Sequence, residues 1–219
     1  MRTFAAGQAA LLLLAALGRP VRAQEMRGEV LALSAEHRVL YQGIVYQQTG
    51  TWLGLRGELA TRQFRFELYT LAGSLGGSGD SSNPDRDART TVAAARVAVR
   101  PWIDVGLAAE AWHFASAVSE TTWRLFGPVA RAEGDLGLPV LHGFAELTLL
   151  PLAWGSSAVA PTSGARGVVG LLFVPATSPF MLRLAYRFER FNVGDPAASA
   201  PRREHVEGVQ IGAGVRLGR

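Results

Sequence analysis

The nonapeptide RLAYRFERF, residues 183–191, decides the fold because it has two incompatible interpretations. At helical spacing, Leu184 and Phe188 share one face, as they would in a basic helix lying on a membrane surface. At a period of two, Leu184, Tyr186 and Phe188 share one side of a strand. Arg187 then lies on the other side, and the strand forms a wall with one apolar and one charged face. The surrounding sequence decides between the two.

The rest of the chain consists of short segments in which apolar residues alternate with polar or small ones, separated by Gly, Pro, Asp, Ser and Asn. The predicted strands are 28–36, 50–60, 62–74, 89–100, 102–114, 120–133, 139–151, 164–175, 179–191 and 204–217. The nonapeptide falls in the ninth segment, which favours the strand. After residue 23, no stretch long enough for a transmembrane helix is free of charges and breakers. Any membrane-spanning part must therefore be a closed barrel.

The connections between these segments alternate in length. Long ones follow the odd strands, among them HRVLYQGIVYQQT after the first and NVGDPAASAPRRE after the ninth. The even strands are followed only by AT, P, GDLGL and PATS. Tight turns on one side and longer loops on the other are typical of outer-membrane barrels.

Each predicted strand has one apolar face and one face of charged or small residues. An arginine facing lipid at the bilayer midplane costs roughly 2–4 kcal/mol, so the charged face is predicted to line the lumen. A ten-strand barrel is only slightly wider than the eight-strand size that side chains fill, so ion pairs should plug it. The alternative is that they line a narrow channel for small solutes. The predicted lumen charge network is Arg56, Glu58, Arg65, Glu67, Arg96, Asp104, Glu110, Arg131, Glu146, Arg183, Arg187, Glu189 and Arg216.

The tryptophans fall near strand ends, where a lipid-facing barrel carries aromatic belts at the two membrane interfaces. The predicted belt consists of Trp52, Trp102, Trp112, Trp123 and Trp154.

Residues 1–23 are predicted to be a secretory signal peptide, with the barrel domain at 24–219. Arg2 precedes an apolar run, and Val21 and Ala23 supply small residues at the −3 and −1 positions of a cleavage site. The absence of cysteine excludes both a lipidated N-terminal cysteine and a disulfide framework.

The basic composition is misleading, because three of the basic residues lie in the predicted signal peptide. Removal of Arg2, Arg19 and Arg22 leaves 19 basic residues against 18 acidic ones, a net charge of about +1. Without a strong positive charge, nucleic acid is not expected as a partner.

The chain shows no motif that predicts catalysis or a cofactor. Its histidines, His37, His113, His142 and His205, lack the spacing of a metal site. No catalytic residue, metal or cofactor is therefore predicted. A lipid or peptide hydrolase at the barrel rim, using His113 or His205, is kept as an alternative.

On these features the mature chain resembles the small bacterial outer-membrane β-barrel proteins, without matching a particular subfamily. The resemblance implies a closed antiparallel up-and-down transmembrane barrel of about ten strands, or eight as the alternative, located in the cell outer membrane. It implies outer-membrane lipid and the barrel assembly machinery as partners of a monomeric, porin-like protein. Such barrels commonly end on an aromatic residue, whereas this chain ends VRLGR.

The predicted function is a non-enzymatic outer-membrane barrel with a largely filled lumen and long external loops, serving a structural or surface-contact role. Three alternatives stay open: the narrow channel, the rim hydrolase, and a soluble lipocalin-like barrel whose apolar face lines a ligand cavity.

Overall fold

The computed structural model describes residues 25–77, 85–116, 120–157, 159–194 and 202–218. The predicted signal peptide lies outside these residues. Within them, no helix has the length and hydropathy needed to cross a membrane.

The described chain folds into strands that pair with their neighbours in an antiparallel ring. The strands are β1 (Glu25–Tyr41), β2 (Ile44–Ala60), β3 (Phe64–Gly77), β4 (Arg86–Arg100), β5 (Ile103–Ser116), β6 (Glu120–Leu138), β7 (Leu141–Leu150), β8 (Leu152–Gly155), β9 (Ala160–Phe173), β10 (Phe180–Gly194) and β11 (Arg202–Gly218). The order runs from β5 back to β1, then through β11, β10, β9 and β7 to β6, and the pairing of β5 with β6 closes the ring.

β7 and β8 are two parts of one barrel strand, because both pair with β6 and they are separated only by Pro151. Proline has no backbone N–H to donate to a ladder. The pairing of β7 with β9 accordingly ends at Leu150 and Gly164. With β7 and β8 counted as one strand, the ring has ten strands, which confirms the predicted ten-strand antiparallel barrel over the eight-strand alternative.

The nonapeptide is the middle of β10, and it alternates as a strand does. Leu184 and Phe188 are 50% and 44% exposed on the outer surface, whereas Arg187 is 1% exposed in the interior. The outward apolar positions of β10 run from Phe180 to Phe188. At about 3.3 Å per residue and a tilt of about 40°, this band is roughly 22 Å high, close to the apolar band of an outer-membrane barrel.

The structure corrects the predicted length of the first connection. The stretch HRVLYQGIVYQQT is not a long loop, because β1 and β2 stay paired as far as Tyr41 and Ile44. A two-residue turn joins them, with φ of 51° at Gln42 and 82° at Gly43. Two left-handed residues give the turn whose twist matches that of the flanking strands, so the hairpin continues beyond the predicted end of the first strand.

The third short connection also lies further along the chain than predicted. GDLGL belongs to β6, which ends at Leu138. The pairing with β7 shifts register between Asp135 and Leu138, around Gly137 with its φ of 82°. Such an irregularity keeps the strand going past a glycine-rich segment.

Candidate functional site

The barrel interior is layered along its axis, and β2 shows the order of the layers. Its inward side chains, going away from the chain termini, are Glu58, Arg56, Trp52 and Gln48. Between Arg56 and Trp52 the inward position is Gly54, where an added Cβ would lie 1.8 Å from the carbonyl oxygen of Thr70. The interior therefore passes from charged to aromatic to polar side chains.

The first layer, called the charged layer, contains the ion pairs of the barrel half that holds the chain termini. Its members are Glu29, Arg56, Glu58, Glu67, Arg96, Asp104, Glu110, Arg131, Glu146, Arg166, Arg183, Arg187 and Glu189, and each is less than 9% exposed.

Arg56 is the most heavily paired cation of the charged layer. Its Nη1 donates to Glu29 at 2.5 Å, and its Nη2 donates to Glu58 at 2.8 Å. Glu67 accepts from both Nε and Nη2, at 3.1 and 3.0 Å. Bidentate pairing of this kind offsets the cost of burying a guanidinium group.

The pairing extends across the lumen. Arg96 donates to Glu67 and to Glu146, both at 2.7 Å. Arg166 donates to Glu146 at 3.1 Å and to Glu110 at 2.8 Å. Side chains of opposite walls are thereby joined through the centre of the barrel.

Four more predicted lumen cations lie around this centre. Arg183 donates to Glu29 at 2.6 Å and Arg131 donates to Glu133 at 2.7 Å. Arg187 pairs with Glu189. Arg65, a quarter exposed, lies 3.0 Å from Asp104.

Arg216 is the member of the predicted network that the structure does not bring into it. Its side chain is half-buried near the chain termini, and it forms no salt bridge with any described residue. Its neighbour in register on β1 is Arg27, and its backbone N–H donates to the carbonyl of Pro179 just before β10, so no carboxylate faces it there.

Sequence reasoning missed Glu29 and Arg166, although alternation was the signal that identifies them. Glu29 is an even number of residues from the buried Leu31 and Leu33, and Arg166 is an even number from the buried Leu172, so each shares the inward face of its strand. The inward face of each strand is largely apolar next to these residues, which hid the buried charge.

The second layer, called the aromatic plug, consists of Trp52, Trp112, Phe114, Trp123 and Phe191. Their rings are in mutual contact, with centroid distances from 5.0 Å (Phe114 to Trp123) to 5.6 Å (Trp52 to Trp112). Edge-to-face and stacked pairs at such distances are favourable beyond their buried area. Trp112 Nε1 donates to Glu110 at 2.6 Å, which joins the plug to the charged layer.

The aromatic plug corrects the predicted belt. Trp52, Trp112 and Trp123 are buried in the interior, whereas Trp102 and Trp154 are 57% and 50% exposed on the outer surface. Position near a strand end misled the prediction. The alternation along the strand is the better guide, because Trp112 lies two residues from the inward Glu110 and therefore points inward as well.

The third layer, called the polar cap, covers the plug at the end away from the termini and consists of His37, Gln48, Arg202 and Glu204. The buried His37 lies 3.2 Å through Nδ1 from Gln48 Oε1 and 2.9 Å through Nε2 from Glu204 Oε2. Arg202 Nε donates to Glu204 at 2.8 Å. The imidazole of His37 stacks on Phe114 with centroids 5.6 Å apart, so the cap rests on the plug.

A small cavity lies within the charged layer. It has a volume of about 20 Å³ and is lined by residues that include Arg56, Glu67, Tyr69 and Arg187. That is room for about one water molecule.

Among the described residues, His113 and His142 are not arranged as members of a catalytic triad. His113 Nδ1 lies 3.4 Å from Thr122 Oγ1 and 3.8 Å from Glu120 Oε1, so hydroxyl and carboxylate face the same ring nitrogen. A catalytic triad needs them on opposite nitrogens. His142 pairs with Asp135 at 2.7 Å near the short turns. In the part of the chain that the structure describes, no cluster of His, Asp and Glu is arranged to hold a metal ion.

Comparison with known proteins found similarity among solved structures. No protein-family model and no curated sequence matches the chain. The translocator domain of the autotransporter NalP from Neisseria meningitidis is 14% identical, with 96% of this chain and 95% of that chain covered and a TM-score of 0.44. An outer membrane channel from Pseudomonas putida is 12% identical over 88% and 96%, with a TM-score of 0.42.

The attachment invasion locus protein Ail of Yersinia pestis is 13% identical over 90% of this chain and 100% of that chain, with a TM-score of 0.37. These identities and TM-scores are low, so the fold is established by the strand pairing of this chain itself. The chain is a closed ten-strand β-barrel, and its fold is similar to that of small bacterial outer-membrane barrels.

Proposed function

We propose that the protein is an integral outer-membrane barrel without enzymatic activity, whose filled lumen gives it a structural and surface-contact role. One observation carries the proposal: the outer surface along the middle of the strands is apolar, whereas the buried charged side chains point into the ring. Leu53, Leu55 and Ile211 are each 60% or more exposed, whereas Arg56 and Arg187 are buried. A soluble barrel needs the opposite arrangement, so a lipid environment explains this one.

The packing of the interior supports a plug rather than a channel. The charged layer contains a cavity of about 20 Å³, and the rings of the aromatic plug lie in contact above it. A conducting pore needs a continuous polar path. Trp112, fully buried, lies across such a path.

The proposed location requires export and assembly. We propose that residues 1–23 are cleaved as a signal peptide, and that the barrel assembly machinery inserts the remaining chain as a monomer. Contacts with the surroundings would then involve the polar-cap end of the barrel, opposite the end where β1 begins and β11 ends.

Membrane fractionation with a heat-modifiability test examines the membrane assignment. The protein should stay with outer membranes washed at high pH, and it should migrate differently on a gel before and after boiling. Release by the wash, or identical migration, would contradict the proposal and favour the lipocalin-like barrel.

Planar-bilayer recording examines the plug. The wild-type protein should insert without conductance steps. Regular steps at every insertion would instead support the narrow channel.

A further inference from the structure

The outer surface of β1, β11 and β10 carries a row of basic side chains next to the apolar band. Arg38 is opposite His205 in register, and His205 is opposite Arg190. Arg203 lies two residues from His205 on β11, on the same outward face. The row is therefore a patch of basic side chains across three neighbouring strands, in which Arg38 is paired with acidic residues.

The acidic residues near this row pair with Arg38 and Tyr186, not with Arg190 or Arg203. Glu207 lies 3.3 Å from Arg38 and accepts from the Tyr186 hydroxyl at 2.6 Å, and Glu36 also pairs with Arg38. No described carboxylate lies within salt-bridge distance of Arg190 or Arg203. Across the β10–β11 pairing Arg190 faces His205 and Arg203 faces Asn192, so neither cation has an acidic partner there.

We propose that Arg190 and Arg203 bind the phosphate of an anionic lipid headgroup. They are diagonal neighbours on paired strands, and such positions are roughly 7–8 Å apart. That spacing lets two guanidinium groups hold one phosphate from two sides, a group that arginine binds in bidentate geometry.

The apolar band below the patch identifies the ligand as a lipid rather than a free anion. Phe188 and Leu184 precede Arg190 on the same face of β10, and Val209 and Ile211 follow His205 on that of β11. A phosphate held by the arginines would place its acyl chains along these exposed side chains. The inference rests on the proposed membrane function, because it needs the apolar band to face lipid.

Lipid retention tests the inference. The protein is reconstituted in phosphatidylcholine vesicles containing a minor fraction of phosphatidylglycerol with the same acyl chains, released in mild detergent, and its bound lipids are counted by native mass spectrometry. Wild-type protein should retain phosphatidylglycerol in preference. Arg190→Gln with Arg203→Gln should weaken that retention roughly 30-fold, because each arginine near an anionic headgroup contributes a factor of about five.

The matched control removes two exposed arginines at the opposite end, Arg62→Gln with Arg100→Gln, and should retain lipid as the wild type does. Equal retention by all three proteins, or an equal loss in the control, would overturn the inference. So would inorganic phosphate alone stabilising the protein in neutral detergent as much as phosphatidylglycerol does. Failure of the protein to enter vesicles at all would refute the membrane function instead, which separates the two outcomes.

Discussion

At the scale of single residues, Arg96 shows how much the charged layer depends on complete pairing. It is buried, and Glu67 and Glu146 each accept from it at 2.7 Å. Arg96→Met should lower the free energy of unfolding by about 3–5 kcal/mol, because it leaves buried carboxylates short of a partner. Urea unfolding of the barrel in vesicles measures the change.

Arg100→Met is the control for that substitution. Arg100 is exposed at the end of the same strand and forms no salt bridge with a described residue. Its replacement should change stability by less than about 0.5 kcal/mol. A loss similar to that of Arg96→Met would mean that lumen pairing is not the cause.

Trp112 makes the corresponding prediction for the aromatic plug. Trp112→Ala removes a fully buried ring that contacts Trp52, Phe114 and Phe191. The loss should be about 3–5 kcal/mol in the same unfolding experiment. Trp102→Ala, on the outer surface, should cost less, and an equal cost would contradict the inward placement of Trp112.

At the scale of elements, the β1–β2 hairpin depends on its turn. Gly43 has a φ of 82°, and an added Cβ there would meet nothing within 4 Å. Gly43→Ala should therefore destabilise through the backbone alone, by about 1–2 kcal/mol. Gly57 has equally open space without a positive φ, so Gly57→Ala should be neutral or stabilising in thermal unfolding. Equal effects would refute the turn assignment.

The outward face of β10 gives a test that depends on depth. Leu184→Arg should cost roughly 2–4 kcal/mol in vesicles, because the side chain lies mid-way along the apolar band. Asn192→Arg, two residues beyond Arg190, should cost less than Leu184→Arg, because arginine there reaches the interface at about 0–1 kcal/mol. Repulsion from Arg203, which lies opposite in register, adds roughly 0.2–1 kcal/mol. Urea unfolding of both variants in lipid compares them, and equal costs would show that the band is not embedded.

At the scale of the whole molecule, alternation made the barrel and its facing predictable from the sequence. A period of two fixes which side chains share a face, and it placed Arg56 inside, where the structure has it buried. It was less informative about where strands end, since the paired walls of β1 and β2 continue into residues that looked like a loop.

The layers of the interior were harder to predict. Parity places Trp52 and Arg56 on the same face, but the meeting of Trp112 with Phe191 depends on how distant strands curve round the ring. The pairing of His37 with Glu204 likewise joins the first and last strands of the chain. Sequence spacing carries no record of contacts created by closure of the barrel.

The central claim, that the apolar outer face meets lipid around a closed interior, is tested most directly with single spin labels. The chain contains no cysteine, so cysteine can be introduced and labelled at Leu184 or at Ala185 in vesicle-embedded protein. The label at Leu184 should be relaxed strongly by oxygen dissolved in the bilayer and weakly by a water-soluble nickel complex, and the label at Ala185 weakly by both. Strong relaxation of the Leu184 label by the nickel complex, or no difference between the two positions, would contradict the account.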